Sequence, residues 1–323
     1  MSAVLRLPVS VAPRLQNAFE QFLAETRLRG LSHTTLTWYV VTLGPFLRHA
    51  LAAGCERTDD VQLTHVRAFL ADRQPSVAAG RINQYRKVIR RFFDWAVAEV
   101  YAADNPAARI RKLREARTLI STFSERDLHT LLAQPDPKTF IGSRDLTFML
   151  LLLDTGVRLS EALGLRLNDL DFDALTLTVM GKGSKERLVG CSPAFAGRVQ
   201  DYLTKRAEAL ASIGLAECPW VFVNQFGTRA HGRTFQDQLK RYGKRAGITR
   251  VRVSPHSFRH TFAVWFVRHG GSPFHLQKCL GHADLQMTRR YCELADVDFL
   301  SKQRELSPVT TLNLDPRQRR CLR

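Results

Sequence analysis

The sequence holds 323 residues, 45% of them hydrophobic and 24% charged, which suits a globular protein of one large or two moderate domains, with two the better fit. A formal charge of +18, spread over both halves of the chain, is far from the balance of an ordinary metabolic enzyme and makes a polyanion, nucleic acid above all, the leading partner class. No apolar run nears the roughly 20 residues that span a bilayer, no signal-peptide pattern opens the chain, and six scattered cysteines without a CxxC pair read as reduced thiols; these features argue against membrane, secreted and zinc-ribbon proteins and point to the cytoplasm.

The first hundred residues read as helices. Leu15, Phe19, Phe22 and Leu23 recur at helical spacing, Gly30 breaks the pattern, and Ser32 offers an N-cap to a second helix running to about Ala53, with Pro45 expected to kink or split it. Its apolar stripe is Leu36, Tyr39, Val40, Leu43 and Leu47, and Thr64 is placed to cap a short third helix. Residues 76–100 make a long fourth helix bearing Ile82, Tyr85, Ile89, Phe93 and Trp95, with Arg81, Arg86, Lys87, Arg90 and Arg91 on its expected solvent face. Such a face is either merely solvated or a phosphate-contacting surface.

Asn105-Pro106 closes this bundle, giving a first domain over 1–108 and a basic linker over 109–121. A second domain over 122–308 opens with the capping-box-like Ser124-Glu125-Arg126-Asp127. A buried helix over 146–153 leads to Thr155-Gly156-Val157-Arg158, and Leu175 to Met180 reads as a strand returning through Gly181-Lys182-Gly183-Ser184 to a second strand at 186–189. Helices resume from Pro193, interrupted by the apolar piece Val221-Phe222-Val223. The basic tail, 309–323, is expected to be disordered.

Three islands in this second domain carry the chemistry: Thr155-Gly156-Val157-Arg158-Leu159-Ser160-Glu161, Pro255-His256-Ser257-Phe258-Arg259-His260-Thr261, and Leu280-Gly281-His282 followed nine residues later by Tyr291. With Gly181-Lys182-Gly183 between the first two, they resemble the active site of the tyrosine recombinase (phage integrase) family, and the resemblance covers nearly the whole chain. It implies a mostly α fold: an N-terminal helical, SAM-like core-binding domain, then an α+β catalytic domain with a small antiparallel sheet. Carried over by position, Arg158 and Arg259 match the catalytic arginines, Lys182 the hairpin lysine, His256 and His282 the active-site histidines, and Tyr291 the nucleophile. Glu161 matches an acidic position supporting the first arginine. Gly190-Cys191 departs from the Pro-Leu pair that often follows the hairpin, which puts only local geometry in doubt.

The physics fits these assignments. In-line attack on a phosphodiester concentrates negative charge on its non-bridging oxygens, and planar guanidinium forks match that geometry. A phenol of ordinary pKa near 10 needs cations or a base to attack near neutrality, and a departing 5′ oxygen needs a proton, for which Lys182 is the candidate donor. The product, a 3′-phosphotyrosyl link and a free 5′ hydroxyl, keeps the bond energy, so rejoining needs neither metal nor nucleotide cofactor.

Taken singly, these residues have blander fates. Arg158 can pair with Glu161 structurally, Tyr291 alone is an ordinary half-buried aromatic, and His256 and His260, four apart, lack the glutamate of an HExxH zinc site. His260 is expected to pack or hydrogen-bond within its own helix. The joint pattern changes the reading for Tyr291. Three functions stay open: a site-specific recombinase or integrase acting as a homo-tetramer in a synaptic complex on double-stranded DNA and as monomer or dimer off it, a monomeric type IB topoisomerase-like enzyme, and a non-cutting DNA-binding regulator. A partner recombinase or accessory protein is a further candidate, and nucleoid association is expected. The compact two-domain form looks like Xer-type resolvases, transposon-encoded integrases and some phage enzymes, with no room before residue 13 for an arm-binding domain.

Overall fold

A computed structural model describes residues 13–115, 120–181, 185–215, 217–281, 285–295, 303–304 and 306–312. The chain divides into two compact units, residues 1–118 and 119–323. Lys182 and His282 lie outside the described residues, as does most of the tail, 313–323.

The first unit is built on α1 (Leu15–Leu28), α2 (His33–Ala52), α3 (Leu63–Arg73) and α4 (Ala79–Ala98). Aromatic side chains at helical spacing meet edge-on in its core: Phe22 against Tyr39 and Phe92 at 5.0 and 5.6 Å, and Phe46 against Phe69 at 5.4 Å. Ser32 caps α2 as its sequence indicates, accepting from the Thr35 N–H. Pro45 neither ends nor splits that helix, which continues for seven residues beyond it. The proline sits one turn after Val40 and Val41, both exposed, where solvent can satisfy the carbonyl left without a donor. Thr64 is not the cap of α3. Gln62 occupies that position, its N–H bonded to His65 Nδ1 at 3.0 Å.

The basic face of α4 is narrower than its sequence suggests. Lys87, Arg90 and Arg91 are exposed, but Arg86 falls between the buried Tyr85 and Ile89, turns inward and donates to the Ile110 carbonyl at 3.1 Å. Arg81 lies over the Tyr85 ring at 4.7 Å. Asn83 pairs with the Leu113 backbone in both directions, at 3.0 and 2.8 Å, so residues 110–113 are held against α4.

The second unit has α5 (Glu125–Leu132), α6 (Phe140–Thr155), α7 (Leu159–Gly164), β1 (Leu170–Asp171), β2 (Thr176–Met180), β3 (Glu186–Gly190), α8 (Pro193–Ser212), α9 (Gly232–Arg245), α10 (Pro255–Arg268), α11 (Pro273–Leu280) and α12 (Leu285–Leu294). The strands form one antiparallel sheet in the order β1-β2-β3, with Thr178 opposite Leu188 and Met180 opposite Glu186. Leu177 and Val179 of β2 and Val189 of β3 point into the core, which α6 dominates through Phe148, Met149, Leu151 and Leu152. The piece 221–223 is buried and forms no continuous strand; isolated bridges join Trp220 beside it to Arg166 and Val223 to Arg229. The Arg144–Asp145 pair is buried within α6, and Tyr242 of α9 donates to the same aspartate at 2.9 Å, tying the two helices together. Pro308–Thr311 form a helical turn, with Pro308 at the first position preset for helix and Ser307 offering its carbonyl to Thr311.

Two glycines stop helices where the site begins. Gly156 ends α6 at φ +62° and Gly281 ends α11 at φ +60°. A Cβ on Gly156 would fall 2.3 Å from the Phe262 ring. Gly156→Ala therefore lowers stability by about 1 kcal/mol for the left-handed backbone plus about 1–3 kcal/mol for overpacking, read as a lower urea midpoint at unchanged slope.

Candidate active site

The C-terminal end of α11 organises the site. Its last carbonyls, unpaired within the helix and carrying the negative end of the helix dipole, accept from three different arginines. Arg187 Nε donates to the Cys279 carbonyl at 3.1 Å, Arg259 Nη2 to Leu280 at 2.7 Å, and Arg158 Nη2 to Gly281 at 3.2 Å. Arg259 also donates to the Gly156 carbonyl at the end of α6, at 2.7 Å, so its fork joins two helix termini. It is 5% exposed, and burial followed by Arg158 pulls its pKa to about 10, leaving it charged at neutral pH.

Glu161, on the first turn of α7, binds the other two arginines. It accepts from the Arg158 N–H and side chain, both at 2.8 Å, and from Arg187 at 3.0 and 2.9 Å. Burial alone would raise this carboxyl, but the hydrogen bonds from Arg187 and Arg158 outweigh it and hold its pKa at about 2. Because the folded value lies below the ordinary one near 4.5, this stabilisation is complete above pH 4.5 and disappears as pH falls towards 2. It amounts to on the order of 3 kcal/mol. Urea titrations should show wild type and Glu161→Gln separated by a constant gap above pH 4.5 that closes towards pH 2.

Three guanidinium groups against a single carboxylate, which pairs with two of them, leave the cluster positive and suited to an anion. Arg158, with 35% of its side chain exposed, is the most accessible of the three.

Ser254 caps α10, and Pro255 at the first position fixes the turn from which His256, Arg259 and His260 project. His256 is exposed, and its pKa is lowered by desolvation and by Arg259, Arg158 and Arg252. The His260 ring stacks at 6.5 Å from that of His256, and its Nδ1 lies 2.9 Å from the Tyr291 hydroxyl. This corrects the expectation that His260 serves its own helix: one turn after His256, its ring faces α12. Tyr291 is 4% exposed, and burial raises its pKa against the opposing pull of Arg259, Arg158 and Arg290.

The structure thus brings together Arg158, Glu161, Arg259, His256 and Tyr291 from the sequence-derived set. Sequence reasoning missed Arg187 and His260. The HxxRH spacing was the available signal for His260, whereas Arg187 had only its place two residues beyond Lys185 at the start of the return strand. Arg81, Arg86, Lys87, Arg90 and Arg91 belong to the other unit.

Residues 121–297 match the phage integrase family and residues 17–100 its N-terminal SAM-like domain. The chain belongs to the phage integrase family. Among curated relatives, it is 32% identical over 268 residues to the tyrosine recombinase XerD of Shewanella oneidensis, covering 83% of this chain and 88% of that one. It is 32% identical over 273 residues to the tyrosine recombinase XerC of Myxococcus xanthus, covering 82% and 89%. In fold it is similar to the XerH site-specific recombinase in its post-cleavage complex with palindromic difH substrate, at TM-score 0.70 and 18% identity, covering 90% of this chain and 83% of that one. A lambda integrase dimer bound to a COC′ core site gives TM-score 0.68 and 17% identity, covering 86% and 77%.

Proposed function

We propose that this protein is a site-specific DNA recombinase that cuts and rejoins double-stranded DNA through a transient 3′-phosphotyrosyl bond at Tyr291. The observation that carries this reading is the placement of Arg158 and Arg259 on one helix end, electrostatically coupled to a buried tyrosine whose hydroxyl meets a histidine. Arg158 and Arg259 brace the non-bridging oxygens of the attacked phosphate, with His256 beside them and His282 as a second histidine. Lys182 protonates the departing 5′ oxygen. The freed 5′ hydroxyl of the same or an exchanged strand then attacks the phosphotyrosine, and the chemistry needs no metal or nucleotide.

The active assembly is a homo-tetramer holding two duplexes, with Lys87, Arg90 and Arg91 of the first unit contacting phosphates. An apolar groove of about 580 Å³, lined by Leu128, Leu150, Leu153, Phe262, Trp265 and Phe266, supports a contact between protomers. The tail of a second copy, which displays exposed Leu306, Val309 and Leu312, supplies matching chemistry. No helix among the described residues is long and apolar enough to cross a membrane. The protein acts where its substrate lies, at the nucleoid.

Incubation with nicked duplexes carrying candidate attachment sequences tests the reading. A covalent adduct mapped to Tyr291, together with recombinant products from paired sites, is expected. Supercoil relaxation without recombinants would assign a topoisomerase instead, and binding without any adduct a regulator.

A further inference from the structure

Tyr291 meets its partner in a largely buried setting. The residue is 4% exposed, and its hydroxyl lies 2.9 Å from His260 Nδ1, with the rings at 5.7 Å and inclined by 48°. With the imidazole in its Nε2–H tautomer, Nδ1 accepts the phenolic hydrogen. The ring packs between those of His256 and Tyr291, with centroids at 6.5 and 5.7 Å. We propose that His260 takes the phenolic proton as Tyr291 attacks the DNA phosphorus, an assignment that rests on Tyr291 being the nucleophile.

The electrostatic surroundings agree. Burial, then His256 and Arg259, keep the His260 pKa below its ordinary value, so at neutral pH the ring is uncharged and its lone pair is available. Among the described residues, the charged groups bearing on the phenol include Arg259, Arg158 and Arg290, which are cationic and favour the phenolate without accepting its proton. In the forward step the phenolic oxygen forms a bond to phosphorus, its proton passes to Nδ1, the bond from phosphorus to the 5′ oxygen breaks, and that oxygen takes a proton from Lys182. In rejoining, the 5′ hydroxyl attacks, its proton returns to the lysine, and the imidazolium gives its proton back to the leaving phenolate. An imidazolium beside Arg259 and His256 is a strong donor, which favours that return.

The test is single-turnover adduct formation on a nicked duplex from pH 6 to 9, using wild type, His260→Ala and His260→Gln. At pH 7 both variants should be slower by about 10²-fold, the lower end for loss of a general base. Wild type should stay flat between pH 7 and 9, whereas the variants gain up to about tenfold per pH unit, as solvent supplies the phenolate that His260 otherwise generates. Glutamine can accept the hydrogen bond but cannot take the proton, so a fast His260→Gln enzyme with a flat profile would reduce His260 to a structural contact and overturn the proposal. An Ala variant as slow at pH 9 as at pH 7 relative to wild type would do the same.

A substrate with sulfur at the bridging 5′ position separates this role from that of the acid. The thiolate leaves without a proton, so Lys182→Ala should recover and His260→Ala should not; recovery of His260→Ala would also overturn the assignment. Unchanged melting temperature and DNA affinity in the Gln variant verify that the loss is chemical. A wild-type enzyme that forms no adduct at Tyr291 refutes the nucleophile reading itself, an outcome distinct from wild-type activity that survives removal of His260.

Discussion

Tyr291→Phe forms no covalent adduct with nicked DNA at any pH, while its fold and DNA affinity stay close to wild type. The substitution removes one oxygen and leaves the ring, which packs in a small core of Ala263, Val264, Leu276 and Leu280, in place. The loss in stability includes the net value of the partly buried hydrogen bond with His260, about 0.5–1.5 kcal/mol. Catalytically nothing replaces the oxygen, because no other side chain can form the same phosphodiester in that position. A denaturing gel that separates free from protein-linked DNA reads the outcome directly. An adduct that persists in Tyr291→Phe would place the nucleophile elsewhere.

Arg259→Ala slows adduct formation by about 10²–10³-fold, the usual consequence of removing one preorganised charge stabiliser. DNA affinity should fall much less, since the guanidinium is 5% exposed and adds little to a field created by many exposed lysines and arginines. The truncation also frees the Gly156 and Leu280 carbonyls, at a cost of about 1–3 kcal/mol for each that stays buried without a donor. Arg259→Lys does not rescue: a single ammonium cannot join two carbonyls 2.7 Å away and still present a planar fork to phosphate. Single-turnover cleavage and fluorescence-anisotropy binding measured on the same preparation separate the two effects. Equal losses in both would count against a role confined to the transition state.

The sequence was most informative where chemistry depends on side-chain identity at fixed spacing. Arg158, Glu161, His256, Arg259 and Tyr291 stood out in this way, and Ser32 and Ser124 announced helix starts that the structure contains. What it concealed were roles set by backbone groups or by tertiary packing. Carbonyls at a helix end have no sequence signature, so the attachment of Arg158, Arg187 and Arg259 to α11 could not be read from composition or periodicity. Arg86 shows the same limit from the other side. Its place beside Lys87 suggests solvent, yet the Ile110 segment folding against α4 turns it inward. His260 reads from sequence as serving its own helix, since local hydrogen bonding is the commoner fate of such a residue, and only the approach of α12 decides otherwise. Pro45 is the converse case, a strong local signal for interruption that a packed helix overrides.

The end of α11 has a consequence for how this enzyme fails. Since the last turn of an eight-residue helix accepts one hydrogen bond from each of three arginines, their alignment is shared. Fraying of that turn removes one contact from each at the same moment, while Glu161 and the Gly156 carbonyl still hold their other ends, so damage in α11 misaligns the three in concert. The protein can then remain folded while chemically silent, a safe state for an enzyme whose half-finished reaction is a cut strand.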